Sequence, residues 1–233
     1  MTSNSNIGEA LTSSYYLINS ASRDDKTLIL ESPVRERYVT KTEGGFINSE
    51  MPFGRSNHVA CLDDKLFHMW TGDDQIQVYD TINWNHTGHF TVDDVAEPIA
   101  IEENDYKQYY RERLGLNSEE DIKDLRDRAV NDRSLQMILR SVSSMSENRD
   151  VLHDTFPVYN QLLSDGEHLW ITAPHADRSV QHLLQLDATG NVLAAGTLPG
   201  SVEIKHINDA HLYGVDEDEN GFTTLVRYSL QIQ

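Results

Sequence analysis

The sequence has very little cysteine, which excludes an intrachain disulfide and any metal site with more than one cysteine ligand. Cys61 is the only cysteine among 233 residues, so no disulfide can form within the chain. A zinc site that used Cys61 would need its other three ligands from other residue types. The residue lies in the apolar run 58–62, and this position predicts a small, buried hydrophobic side chain rather than a reactive thiol.

Long hydrophobic runs and common catalytic motifs are also lacking. No stretch approaches the eighteen or so apolar residues of a membrane-spanning helix. Residues 1–6 lack the basic and apolar regions of a signal peptide. There is no Gly-x-Gly-x-x-Gly loop, no Walker pattern and no Gly-x-Ser-x-Gly elbow. We therefore expect a soluble protein in an unknown compartment and identify no catalytic residue.

Positive charge is scarce. The chain has 19 Lys and Arg against 38 Asp and Glu, a formal net charge of −19. Nucleic acids and anionic membranes are bound mainly through Lys and Arg. The composition therefore argues against both partners and leaves an unknown protein, peptide or glycan. An acidic surface favours a basic partner.

Most of the chain predicts short antiparallel strands separated by polar turns. Gln75–Tyr79 shows the alternation most clearly, since its apolar side chains Ile76 and Val78 are flanked by glutamines. Asp63-Asp64 is typical of a tight turn. The other predicted strands are 15–18, 27–30, 36–40, 58–62, 65–70, 87–92, 159–163, 168–172, 180–186, 192–197, 202–207, 211–215 and 223–230.

Residues 102–146 have a different pattern. The segment contains no proline, and apolar residues recur at helical spacing, as in Leu135, Ile138, Leu139 and Val142. Asn117 or Ser118, followed by acidic residues, is typical of a helix N-terminus. We expect two or three helices here, inserted into a single domain that covers 1–233.

The strand segments repeat. Each unit consists of a strand, an acidic turn, a second strand and further strands that end in polar residues. Leu169 and Leu212 occupy equivalent positions 43 residues apart. This spacing fits a four-stranded propeller blade, a unit that buries its faces only when it stacks on neighbours. The sequence therefore predicts an all-β, propeller-like fold.

The segments 156–171, 186–193 and 213–230 resemble bacterial six-bladed β-propellers of the NHL/TolB-like type. The resemblance depends on the turn Asp165-Gly166 before Trp170, on the turn at 187–191 and on the strand pair that ends the chain. It spans roughly residues 55–230. It implies a propeller with a helical excursion and, because such proteins are often exported, an extracytoplasmic location.

The length departs from six blades. Without the helical segment, the chain provides about four blades at the observed repeat spacing. Three explanations remain: a truncated propeller, a compact four-bladed ring, or an open arc that closes against a second chain. An open arc or a truncation is favoured over the ring. An arc exposes edge strands and apolar faces, which favours a homo-oligomer.

One segment has the beginning of a calcium loop. Asp216, Asp218 and Asn220, followed by Gly221, match its first, third, fifth and sixth positions. The twelfth position is Arg227, where such a loop has a bidentate glutamate. A polar hairpin tip is therefore the favoured interpretation, and we expect no cofactor, with calcium at these residues as the alternative.

Three functions compete. The first is a non-catalytic binding or scaffold module, since propellers commonly bind partners around their central channel. The second is a calcium-dependent propeller hydrolase of the lactonase or esterase kind, as the resemblance implies. The third is a structural arc that completes a propeller by self-association. The sequence favours the first.

Overall fold

A computed structural model describes residues 11–18, 26–42, 45–92, 95, 98–114, 129, 132–208, 211–217 and 222–230. Two hairpins come first: β1 (Leu11–Ile18) with β2 (Lys26–Arg35), and β3 (Arg37–Thr42) with β4 (Gly45–Glu50). None of the helices in the described ranges is long and apolar enough to cross a bilayer.

Three larger antiparallel sheets follow, and each is a simple meander whose strands pair in chain order. The first sheet contains β5 (Asn57–Leu62), β6 (Lys65–Trp70), β7 (Gln75–Asp80) and β8 (His86–Thr91). The second contains β9 (Gln161–Ser164), β10 (Leu169–Pro174), β11 (Val180–Leu186) and β12 (Val192–Pro199). The third contains β13 (Glu203–Ile207), β14 (His211–Glu217) and β15 (Thr223–Ser229).

The second sheet is buried on both faces. On strand β10, Leu169 and Ile171 belong to a core shared with the first sheet, where they meet residues such as Phe67. The intervening Trp170 belongs to a separate core with Leu212 of the third sheet. Because successive side chains of a strand point to opposite faces, one strand supplies both cores. This stacking confirms the all-β, propeller-like prediction.

The first strands of the three larger sheets lie next to one another, since β5 contacts β9 and β9 contacts β13, and β2 of the first hairpin also contacts β5. Side-chain amides connect these strands. The Gln161 amide donates to the Ile204 carbonyl at 3.0 Å, and its oxygen accepts from the Ile204 N–H at 2.9 Å. Asn57 donates to the Pro33 carbonyl at 2.6 Å. At each position, a side-chain amide thus forms hydrogen bonds to the backbone of the adjacent sheet, as the backbone of a paired strand would.

The helical insertion lies between β8 and β9. It contains α1 (Glu103–Leu114) and α2 (Arg133–Glu147), and Asp132 caps α2 by accepting from the Ser134 N–H at 2.9 Å. Tyr38 of β3 is fully buried against these helices, and its hydroxyl donates to the Ser144 carbonyl at 3.1 Å. The predicted helix start at Asn117 or Ser118 lies outside the described residues.

Two features differ from the sequence-based expectations. Cys61 is exposed, because Ala60 and Leu62 take the two inward positions of β5 and strand alternation turns the residue between them outward. Strand β4 was not predicted.

We expect Gln161→Leu to lower the free energy of unfolding by about 1–3 kcal/mol, because the buried Ile204 backbone loses both of its amide partners. Urea unfolding measures the change. Gln77→Leu is the matched control, since Gln77 bonds only to Gln75 and His86 side chains on the surface. Equal losses in the two variants would contradict a role for Gln161 in joining the sheets.

Candidate functional site

A cleft of about 490 Å³ opens at the end of the stack where β5, β9 and β13 begin. All three sheets contribute to it, as do the segments that lead into β5 and β9. The cleft therefore lies where the first strands of these three sheets begin. The lining residues are Phe53, Ser56, His58, Phe156, Pro157, Asn160, Gln161, Pro174, His175, Arg178, Val180, Gln181, Gly200, Ser201, Val202 and Glu203.

Phe53 forms an aromatic wall and adopts an unusual backbone conformation. Its φ is 53°, in the left-handed region that bulky residues rarely occupy. Its ring lies 4.8 Å from the Phe156 ring and 5.1 Å from that of Tyr106. Such a conformation costs about 1–3 kcal/mol and persists only where neighbouring contacts enforce it. The backbone conformation that places the Phe53 ring at the cleft thus lowers the stability of the fold.

A buried ionic network behind the cleft holds this loop in place. The Arg55 guanidinium donates to the carbonyls of Phe53 at 3.1 Å and Thr155 at 2.9 Å. The Arg55 backbone N–H donates to Glu36 at 2.8 Å, and the same carboxylate oxygen lies 2.5 Å from His153 Nε2. Burial alone would raise the pKa of Glu36, but the bonds from His153 and Arg55 outweigh it and lower that pKa.

The side-chain amides at the floor of the cleft form hydrogen bonds within the protein. Gln181 is only 5% exposed and donates to the carbonyls of Val202 at 2.6 Å and Pro199 at 3.2 Å. Asn160 donates to the Gln181 oxygen at 3.4 Å. These bonds fix the β12–β13 connection, which forms the opposite wall, against the start of the second sheet.

The formal charges of the lining are paired within the protein. Arg178 stacks 4.2 Å over the Phe156 ring and lies 3.5 Å from Asp105. Its other nitrogens donate to the carbonyls of His175 at 3.1 Å and Ala100 at 3.0 Å. Glu203 forms an ion pair with Lys205 on the same strand. No lining carboxylate or guanidinium in the described part of the chain is therefore left without a counter-charge.

Two histidines line the cleft. Burial lowers the pKa of His58, and the nearby Glu203 carboxylate opposes that shift only in part. The Asp177 N–H donates to His175 Nδ1 at 2.9 Å, and the Asp177 carbonyl oxygen lies 3.3 Å from the same nitrogen. The other ring nitrogens, His58 Nδ1 and His175 Nε2, form no hydrogen bond with the described residues.

Of the residues that the sequence indicated for calcium, Asp216 is described, and it does not line the cleft. Asp216 lies on β14, and its Oδ1 is buried without a hydrogen-bond partner among the described residues. Asp218 and Asn220 lie outside those residues. Over the described ranges, no three His, Cys, Asp or Glu side chains come together as metal ligands would.

Sequence reasoning missed the cleft because its parts are far apart in the chain. Phe53 and Phe156 each precede the first strand of a sheet, and neither belongs to a recognisable motif. The sequence signal that could have indicated the cleft is the position of these residues before the first strand of each repeat. In a stack of sheets, residues at that position come together at one end.

Comparisons with family models, with curated proteins and with solved structures found no match to this chain. The resemblance to six-bladed propellers stays a prediction for that reason. The functional argument depends on the chain's own geometry.

We expect Glu36→Gln to lower the free energy of unfolding by about 1–3 kcal/mol near neutral pH. The pKa of Glu36 is lowered from 4.5 in the folded state, so its contribution is present above that value and is lost as the pH falls through the folded pKa. Urea unfolding of both proteins from pH 7 down to the acid range measures this. The difference between wild type and variant should shrink below the ordinary pKa.

The matched control is Glu167→Gln, because Glu167 is an exposed carboxylate at the opposite end of the second sheet. It should change stability little at any pH. A Glu36→Gln difference that stays constant through the acid range would contradict the role of the ionised carboxylate.

Proposed function

We propose that this protein is a non-catalytic binding module of the β-propeller type that takes its ligand in the cleft. The observation that carries the proposal is the strained Phe53, held at the cleft by its contacts with Phe156 and Arg55. Strain of this kind clusters at functional sites. A cleft with an apolar wall and convergent polar groups is a common ligand site, and propellers commonly bind partners at one end of their stacked sheets.

The hydrolase alternative has less support. Ser56 Oγ lies 3.3 Å from His58 Nε2, which is longer than a well-formed nucleophile–base hydrogen bond. Among the described residues, no carboxylate hydrogen-bonds to His58 to orient the ring as a catalytic base requires. The pair fits better as a hydrogen-bonding edge of a binding site.

The cleft is testable with small probes. We expect a set of neutral and charged fragments, titrated into isotope-labelled protein, to shift the amide resonances of 56–58, 175–181 and 200–203. Ser201→Trp should remove these shifts, because Ser201 is an exposed lining residue and an indole there fills the opening. Amide NMR reports both the site and the integrity of the fold.

Asn83→Trp is the control, since it adds the same ring at an exposed position in the β7–β8 turn. It should leave the fragment shifts unchanged. Fragments that bind only outside the cleft, or shifts that survive Ser201→Trp, would overturn the proposal.

Self-association is a second candidate role, and the third sheet favours it. No described strand pairs with the outer edge of β15. Leu225 on that strand is 76% exposed. Within the described residues, no strand pairing connects the third sheet back to β1 or β2. An unpaired edge with an exposed leucine is a template for pairing with another chain.

If a second copy completes this sheet, light scattering will give a dimer mass that falls on dilution. Leu225→Glu should shift the equilibrium to the monomer, because it places a charge on the pairing edge of each copy. Ile82→Glu, at an exposed position in the β7–β8 turn and not on a strand edge, should not. A monomer at every concentration would remove this role and leave the cleft unaffected.

A further inference from the structure

The residues that line the cleft indicate the chemical class of its ligand. We infer that the ligand is an uncharged carbohydrate chain, an inference that rests on the proposed function of the cleft. Three features support it: the pairing of the charges that line the cleft, the neutral hydrogen-bonding groups left over, and the blocked strand edge at the floor.

Charge is the first feature. The chain carries −19, yet the two formal charges of the lining are matched by Asp105 and Lys205. A cationic ligand would have to compete with Lys205 for Glu203. An anionic ligand would have to compete with Asp105 for Arg178, against the repulsion of the whole surface. A neutral ligand leaves both pairs intact, so it is the one that meets no electrostatic penalty.

Hydrogen bonding is the second feature. Four polar groups of the lining have no hydrogen-bond partner among the described residues: His58 Nδ1, His175 Nε2, the Asn160 side-chain oxygen and the Ser201 hydroxyl. They include both donors and acceptors, and none needs a charged partner. Sugar hydroxyls donate and accept from one atom, and therefore match such a mixed set. The apolar wall of Phe53, Pro157 and Val202 suits the C–H face of a pyranose ring.

The blocked edge is the third feature, and it separates sugars from peptides. A peptide commonly binds an exposed strand edge through backbone hydrogen bonds. At the edge of β13 the Ile204 N–H and carbonyl both bond to the Gln161 side chain. That edge cannot accept an added strand at the cleft floor without breaking the contact between two sheets.

The test is calorimetric titration of the full chain with neutral hexasaccharides: cellohexaose, maltohexaose and N-acetylated chitohexaose. Two charged hexamers serve as comparisons, namely cationic deacetylated chitohexaose and anionic hexagalacturonate. We expect at least one neutral hexamer to bind at least about tenfold more tightly than either charged one. Its affinity should change by less than about twofold between about 50 and about 500 mM salt, since no ion pair forms.

Matched variants locate the binding. Ser201→Ala and Phe53→Leu should each weaken the neutral hexamer about tenfold, through a lost hydrogen bond and a lost ring contact. Their controls are Thr91→Ala and Phe222→Leu, which remove a similar exposed hydroxyl and ring outside the cleft. The controls should bind as the wild type does. Ser201 has no hydrogen bond among the described residues, so its variant should keep the fold even if Phe53→Leu does not.

Each contrary result has its own meaning. Tighter binding of the cationic hexamer, lost in salt, would overturn the neutral assignment. The absence of binding by every neutral hexamer would overturn the carbohydrate assignment, while fragment shifts at 56–58 and 200–203 would still support the cleft as a binding site. If Ser201→Trp also leaves every fragment shift unchanged, the proposed function itself fails.

Discussion

A β-sheet that is apolar on both faces has to be covered on both sides, and this requirement organises the whole molecule. Strand β10 shows it most directly, because Ile171 and Trp170 are both buried yet face different neighbouring sheets. Each buried side chain of this size contributes roughly 1.5–3 kcal/mol relative to exposure. Removing either neighbour would expose one complete set of apolar side chains, so the second sheet depends on both neighbouring sheets for its burial.

Stacked sheets bring their first strands together without pairing them. The strands β5, β9 and β13 lie side by side, yet their hydrogen-bonding edges have no continuous partner. Side-chain amides fill part of that need, as Gln161 does for Ile204. Buried backbone groups must be satisfied, and a side-chain amide can both donate to a carbonyl and accept from an N–H, as a backbone amide does. The same geometry leaves a gap where the strands begin, and that gap is the cleft.

The insertion serves the cleft as well as its own core. Tyr106 of α1 packs against Phe53 and donates to the His153 carbonyl at 2.6 Å, while His153 contacts Glu36 beside Arg55. A helix that precedes the second sheet thus determines the conformation of a loop that precedes the first. Helix α1, part of the segment that interrupts the repeat in the sequence, thus packs against the loop that carries Phe53.

The sequence predicted the local elements well and the site poorly, for a physical reason. Alternation within five or six residues determines a strand, and this is why Lys65–Trp70 and Val180–Leu186 were predicted with their observed bounds. The same rule, applied to Cys61, would have placed it outward between Ala60 and Leu62; the apolar character of the run concealed its period. The cleft depends on which loops the stacking brings together, and no local pattern contains that information.

The net charge of the chain also fails to predict the electrostatics of the cleft. A chain at −19 favours a cationic partner when only composition is considered. At the cleft, however, the charges within a few ångströms of a ligand matter most. There, Arg178 forms an ion pair with Asp105, and Glu203 forms an ion pair with Lys205. Both of these pairs are partly exposed, so each adds little to stability, but each removes the unpaired charge that a ligand ion would need. The proposal of a neutral ligand therefore depends on local pairing at the cleft rather than on the net charge of the chain.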